Sequence, residues 1–156
     1  MIVLSCFKLF FCRFSKANIY FCIMNSQKSV LILGANSDVA KQCILQYLAK
    51  GFSVIAASRN LKSLEHFVDD NGLDKNKISL QYFDATDFSS HQNFYNNLEI
   101  KPNVVIYAAG FLVQNNQAFE DFDATFNMIK TNYAGAVSIL NIIAMDKTNN
   151  NLERIV

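Results

Sequence analysis

From Ser29 onward, short apolar runs alternate with segments whose apolar residues recur at three- and four-residue spacing, and this alternation constrains the fold more than any other feature. Parallel strands need a long crossover between them, which an amphipathic helix fills, so the pattern describes βαβ units around a parallel sheet. The first run, Ser29 to Leu33, opens into a predicted helix from Asp38 to Lys50. There Val39, Ala40, Cys43, Ile44, Tyr47 and Leu48 recur at helical spacing, and Gly51 supplies a stop. Ser53 to Ala57 predicts a second strand, followed by a short helix carrying Leu61, Leu64, Phe67 and Val68 and a turn at Asp70-Asn71-Gly72. Ile78 to Phe83 predicts a third strand, with a polar helix near Phe88 to Leu98 after it. Val104 to Tyr107, following Pro102, predicts a fourth; a loop and a long helix from Ala124 to Met145 come next. Arg154-Ile155-Val156 reads as a strand cut short as it begins. The expected fold class is α/β, a Rossmann-type doubly wound parallel sheet truncated after the start of the fifth strand.

A chain of 156 residues, 51% hydrophobic and 17% charged, has room for one sizeable core and no second full domain. Its 14 basic and 13 acidic residues leave a net charge of +1, too little for a whole-chain field that favours nucleic acid. Cys6, Cys12, Cys22 and Cys43 form no Cys-x-x-Cys pair, and only His66 and His91 accompany them, so neither a disulfide framework nor a metal site is legible.

Residues 1–28 differ from the rest, and the domain is expected over residues 29–156. The first 23 are mostly apolar and aromatic, hold no acid and carry Lys8, Arg13 and Lys16. Those cations break the stretch into runs much shorter than the roughly 18 to 20 apolar residues of a membrane span. A signal peptide would place its cations before the apolar run and a small-residue cleavage site after it; here the apolar run comes first and Ile23-Met24-Asn25 offers no such site. Two readings stay open. At about 100° per residue the three cations share one side of a helix, which suits a basic segment lying on a membrane surface. The favoured reading takes Met24 as a natural start and residues 1–23 as an upstream extension without a role in the fold. The expected location is cytoplasmic.

The turn after the first strand reads Leu33-Gly34-Ala35-Asn36-Ser37-Asp38-Val39-Ala40. A small-residue turn lets the main chain approach a pyrophosphate, and the following helix start offers free N–H groups and a positive dipole end to it. The general dinucleotide fingerprint, the phosphate-loop pattern and the hydrolase nucleophile elbow are all absent. Placed between a strand and a helix, the string resembles the Thr-Gly-x-x-x-Gly-x-Gly turn of the short-chain dehydrogenase/reductase family. Gly34 matches the first glycine, while Asp38 and Ala40 stand where the other two belong. Asp38 is the larger departure, since its carboxylate opposes a nearby pyrophosphate; read without a ligand, it is a first-turn acid complementing the helix dipole, with Ser37 as cap.

The exit of the second strand, Ala57-Ser58-Arg59, falls close to the roughly 20-residue offset of a ribose-reading position. No acid stands there to accept from two ribose hydroxyls. Ser58 with Arg59 instead suits a 2′-phosphate, a charge-assisted contact worth about 1.5 to 3 kcal/mol, so NADP is favoured over NAD. The plain alternative is a solvent-exposed arginine at a helix start.

Three later segments match the same family in order. Asp84-Ala85 resembles its adenine-contacting aspartate, and Tyr107-Ala108-Ala109-Gly110 resembles its Asn-Asn-Ala-Gly segment with both asparagines missing. Asn132-Tyr133-Ala134-Gly135 resembles its Asn-x-x-Gly segment, with Asn132 at the tetrad asparagine. The resemblance covers about residues 29–156, the N-terminal nucleotide-binding half of the family fold. It implies a cofactor site of Gly34, Asn36, Ser37, Asp38, Val39, Ser58, Arg59, Asp84, Ala85, Ala108, Ala109 and Gly110.

Family chemistry also needs a serine and a Tyr-x-x-x-Lys pair as proton relay. At that spacing Tyr20 meets Met24, Tyr47 Gly51, Tyr82 Thr86, Tyr95 Glu99, Tyr107 Phe111 and Tyr133 Val137, and the serine should follow the strand that starts at Arg154. Asn132 is therefore expected to be vestigial. Two functions follow as expectations: an NADP-dependent carbonyl or alcohol oxidoreductase, present as a truncated chain inactive alone, or a non-catalytic nucleotide-binding or interaction module. A chain cut at Val156 is expected to leave the fourth strand poorly paired at its edge and to expose Phe126, Ile129, Leu140 and Ile143. Those residues would associate with a second copy or a partner through the long helix, or leave the lone chain marginally stable.

Overall fold

The structure, a computed structural model, describes residues 27–156. The readings of residues 1–23 as a membrane-surface segment or an upstream extension lie outside the described residues. Five parallel strands, β1 (Ser29–Leu33), β2 (Ser53–Ser58), β3 (Ile78–Tyr82), β4 (Val104–Tyr107) and β5 (Arg154–Ile155), form one sheet in the order β3-β2-β1-β4-β5. Helices α1 (Asp38–Ala49) and α2 (Leu61–Asp70) link β1 to β2 and β2 to β3. The short α3 (His91–Asn96) precedes β4. Between β4 and β5 come α4 (Asn115–Glu120), α5 (Phe122–Ile129), a π-helical segment over Lys130–Ala134, and α6 (Gly135–Ala144). The doubly wound α/β fold expected from the sequence is the fold observed.

Every residue of β1 is buried, Ser29 included, as its apolar run over residues 30–33 requires of a central strand covered on both faces. Alternate side chains serve opposite layers. Val30 and Ile32 pack with Ala40, Ile44, Leu64 and Val68 of α1 and α2. Leu31 and Leu33 pack with Tyr95, Ile139 and Ile143 of α3 and α6. Each such aliphatic side chain, fully removed from water, contributes about 1.5–3 kcal/mol before chain entropy is subtracted. Lys28 joins the sheet too: its carbonyl accepts from the Ser53 amide (2.9 Å), and its ammonium pairs with Glu153 (2.7 Å).

Several expectations need correction. The long helix runs from Phe122 to Ala144, but a π segment interrupts it around Asn132. The polar helix expected near Phe88 to Leu98 contracts to His91–Asn96, because turns closed by Ser90 and His91 amides on Asp87 and Phe88 carbonyls occupy its start. The segment after β4, expected as a loop, holds α4. The edge of β4 is paired: Val104 and Val105 register with Arg154 and Ile155, and the Tyr107 amide donates to Val156 (2.9 Å). Of the four apolar residues expected to be exposed, Phe126 and Ile129 are, Leu140 is half-buried, and Ile143 is wholly buried against β1 and β4 neighbours. No helix among the described residues is long and apolar enough to cross a membrane.

Candidate nucleotide site

The order β3-β2-β1-β4-β5 reverses direction between β1 and β4, and ligands of open α/β sheets bind beside the carboxyl ends of strands at such a switch. The chain's own turns build a hollow there. Gly34 leaves β1 with φ +82°, a left-handed conformation open to glycine, and its main chain packs directly on Ala108 and Ala109 at the end of β4. The amides of Gly34 and Ala35 both donate to the Ala57 carbonyl (2.9 and 3.0 Å), tying this turn to the end of β2. Ser37 caps α1, its hydroxyl accepting from the Ala40 amide (3.2 Å). Among the described residues the amides of Asp38 and Val39 have no acceptor, which leaves two donors at the positive end of α1.

Asn36 crosses from this turn to the exit of β2. Its Nδ2 donates to Ser58 Oγ (2.6 Å) and to the Asn60 carbonyl (2.8 Å), while its Oδ1 is buried without a partner among the described residues. A carbonyl can only accept, so the Asn60 contact sets the orientation of the amide. Asn60 in turn caps α2 through Ser63. Arg59 is exposed and forms no ion pair among the described residues.

Beyond β3, Phe83 is buried and Asp84 folds back on its own loop, its Oδ1 accepting from the amide and hydroxyl of Thr86 (both 2.8 Å). Behind this loop, Gly135 of α6 packs so tightly on the Ala85 carbonyl and the Tyr107 hydroxyl that no larger residue fits. Beyond β4, the side chain of Asn132 brackets Phe111, Oδ1 accepting from its amide (3.0 Å) and Nδ2 donating to its carbonyl (2.8 Å). Tyr107, at a position where the family pattern has asparagine, donates to the Thr131 carbonyl inside the π segment (2.5 Å), and burial pushes its hydroxyl up to about 12.

These elements enclose a cleft of about 360 Å³ lined by Gly34, Asn36, Ser37, Ser58, Arg59, Phe83, Asp84, Ala85, Ala108, Ala109, Gly110, Phe111 and Thr131. All the residues singled out from the sequence for cofactor contact therefore line one hollow, except Asp38 and Val39. Those two expose their side chains on the first turn of α1, Val39 by 71%, and can face the cleft through their amides. Asn132 does not line the cleft; it is exposed and meets the cleft wall through its hydrogen bonds to Phe111. Sequence reasoning missed Phe83, Phe111, Thr131 and His91. Only position after a strand marked the first two, and nothing local marked the others. Among the described residues no group of three His, Cys, Asp or Glu could hold a metal ion.

The sequence profile of the short chain dehydrogenase family matches residues 28–152. The chain belongs to that family of oxidoreductases, whose members use a nicotinamide cofactor. No curated protein matches it. Solved structures share its fold. A short-chain dehydrogenase/reductase from Vibrio parahaemolyticus is 18% identical, with TM-score 0.68 over 79% of this chain and 55% of its own. Serine dehydrogenase from Escherichia coli is 20% identical, with TM-score 0.71 over 81% and 59%. ElxO, solved with NADP bound, is 22% identical, with TM-score 0.72 over 83% and 54%. The chain spans between half and three-fifths of the length of these proteins.

Proposed function

We propose that residues 29–156 form the nucleotide-binding half of an NADP-preferring short-chain oxidoreductase of carbonyl or alcohol substrates, acting in the cytoplasm. The observation that carries the reading is the gathering of separate strand exits, Gly34-Ala35-Asn36-Ser37, Ser58-Arg59, Asp84-Ala85 and Ala108-Ala109-Gly110, around one cleft at the sheet's switch point. The donor set suits a dinucleotide diphosphate with an additional phosphate: the first-turn α1 amides for the pyrophosphate, and the Ser58 hydroxyl with the exposed Arg59 guanidinium for the 2′-phosphate. The structures of ElxO with NADP and of serine dehydrogenase with NADP+ support the preference by analogy of fold. Asp38 counts against a tight pyrophosphate contact, and its exposure lets water screen its charge.

NADPH, when bound, would supply a hydride, and the residues of this cleft would hold and orient it. The 156 residues contain no Tyr-x-x-x-Lys relay, so this chain alone is expected to hold the nucleotide without turning over substrate. Titration of the full chain with NADPH and NADH, followed by calorimetry and thermal melting, tests the reading. Saturable binding, tighter for NADPH, is the expected result; no heat and no shift with either nucleotide at millimolar concentration overturns it.

A second reading, a non-catalytic interaction module, draws on one observation. Phe119 (88% exposed), Phe122 (74%), Phe126, Ile129 and Val137 leave an aromatic and aliphatic surface on α4, α5 and α6 open to solvent. Concentration-dependent self-association abolished by Phe122→Ser and Phe126→Ser supports it, and a monomer at all concentrations removes it.

A further inference from the structure

The binding proposed above gives no role to a buried imidazole that touches the cleft wall. His91, the first residue of α3, is 0% exposed, and both ring nitrogens are engaged. Nε2 lies 2.9 Å from the Asp84 carbonyl oxygen and Nδ1 lies 2.9 Å from the Ser138 hydroxyl on α6. A carbonyl oxygen can only accept, so Nε2 carries the proton, and in the neutral ring Nδ1 accepts from Ser138. The ring also stacks on Phe83, with centroids 5.0 Å apart and planes 26° apart. Phe83 and Asp84 both line the cleft, while His91 itself does not.

We infer that His91 is a positioning residue for the adenine end of the nucleotide cleft, holding Phe83 by stacking and the Asp84 main chain by a hydrogen bond, and tying both to Ser138 of α6. The inference rests on the nucleotide reading above. Its physical basis is that Asp84 spends its carboxylate on Thr86, within its own loop, and so cannot fix where that loop sits relative to the sheet. Phe83 is tied to the sheet through its amide, which donates to the Ser58 carbonyl (3.3 Å). Beyond it, the Gly135 contact on the Ala85 carbonyl is packing alone, whereas the His91 bond to the Asp84 carbonyl is directional. Without it the wall keeps its composition and loses its register, and a cleft wall displaced by a fraction of an ångström loses the contacts it makes only at close range.

The test uses the different reach of two amides. The Gln Nε2 can stand where His Nε2 stands, toward Asp84; the Asn Nδ2 reaches only the Nδ1 position, toward Ser138. Binding of NADPH and of 2′,5′-ADP, which lacks the nicotinamide half, is measured on the full chain for wild type, His91→Phe, His91→Gln and His91→Asn, beside thermal melts. His91→Phe and His91→Asn are expected to weaken both ligands about tenfold, the effect of one hydrogen bond lost behind a binding wall, while His91→Gln stays within about threefold of wild type. Equal affinities for Gln and Asn, or an Asn variant that binds like wild type, overturn the inference and reduce His91 to a core residue. If His91→Phe does not fold, the Gln and Asn pair decides alone. Wild type that binds neither ligand overturns the nucleotide reading and this inference with it, whereas wild-type binding without the Gln and Asn difference overturns the inference only.

Discussion

The main chain of Gly34 lies so close to that of Ala109 that a methyl group on Gly34 would overlap the Ala109 nitrogen and Cα. Residue 34 must also adopt φ +82°. The two requirements are independent: the first fixes the seam between β1 and β4, and the second turns the chain into α1.

Gly34→Ala is therefore expected to cost more than the roughly 1–2 kcal/mol of a left-handed non-glycine residue, because backbone on both sides must shift as well. Urea unfolding measures the loss. A change within about 0.5 kcal/mol would show that the seam opens easily.

Arg59→Glu replaces the exposed cation at the exit of β2 by an acid. NADPH binding should weaken by about 10- to 100-fold, the equivalent of a charge-assisted contact, while NADH binding changes little. Calorimetric titration with both nucleotides checks this, and equal losses for the two would remove the assignment of Arg59 to a 2′-phosphate.

Asn132→Leu removes both hydrogen bonds to Phe111. The expected cost is about 1–2 kcal/mol for two partly solvated bonds, with faster hydrogen exchange at the Phe111 amide. NADPH affinity should fall while 2′,5′-ADP affinity holds, since the Phe111 loop lies at the end of β4, away from the Ser58–Arg59 exit.

Tyr95 and Tyr107 both titrate at about 12, Tyr95 through burial and the neighbouring Asp146 carboxylate that accepts its hydrogen bond, Tyr107 through burial. Folded pKa values above the unfolded value near 10 mean that the folded chain keeps these protons longer. The stability they confer is present in full below pH 10 and is lost as pH rises toward 12. Phenolate absorbance should show a component with a midpoint near 12, and Tyr95→Phe and Tyr107→Phe should each reduce it. At the acid end, Asp146 is held below the usual carboxylate range by the Thr148 hydroxyl and amide and by Tyr95. Its contribution is present above the unfolded carboxylate value and is lost as pH falls through the folded one.

The strands were legible because a parallel strand buried on both sides has to be apolar throughout, and Ser29–Leu33 is nearly so. The first helix was legible from its period and from Ser37 as cap. The π segment was not legible: Lys130–Ala134 reads as ordinary helix, and the wider turn is tied down by Tyr107, distant in sequence, and by the bracket of Asn132 on Phe111. The same holds for α4, whose residues Asn115–Glu120 carry no apolar period. The pairing of β4 by β5 was not legible, because a two-residue strand extended by the Val156 main chain covers an edge that its length alone would not.

The sequence by itself determined the α/β alternation, the glycine turn at residue 34 and the family to which residues 28–152 belong, since these depend on properties of neighbouring residues. Tertiary structure alone decided which polar groups meet: Asn36 with Ser58, His91 with Asp84 and Ser138, Asn132 with Phe111. Those pairs join residues far apart in the chain. They are set by the order in which crossovers lay β3, β2, β1, β4 and β5 side by side, and that order is a property of the packed sheet rather than of any stretch of sequence.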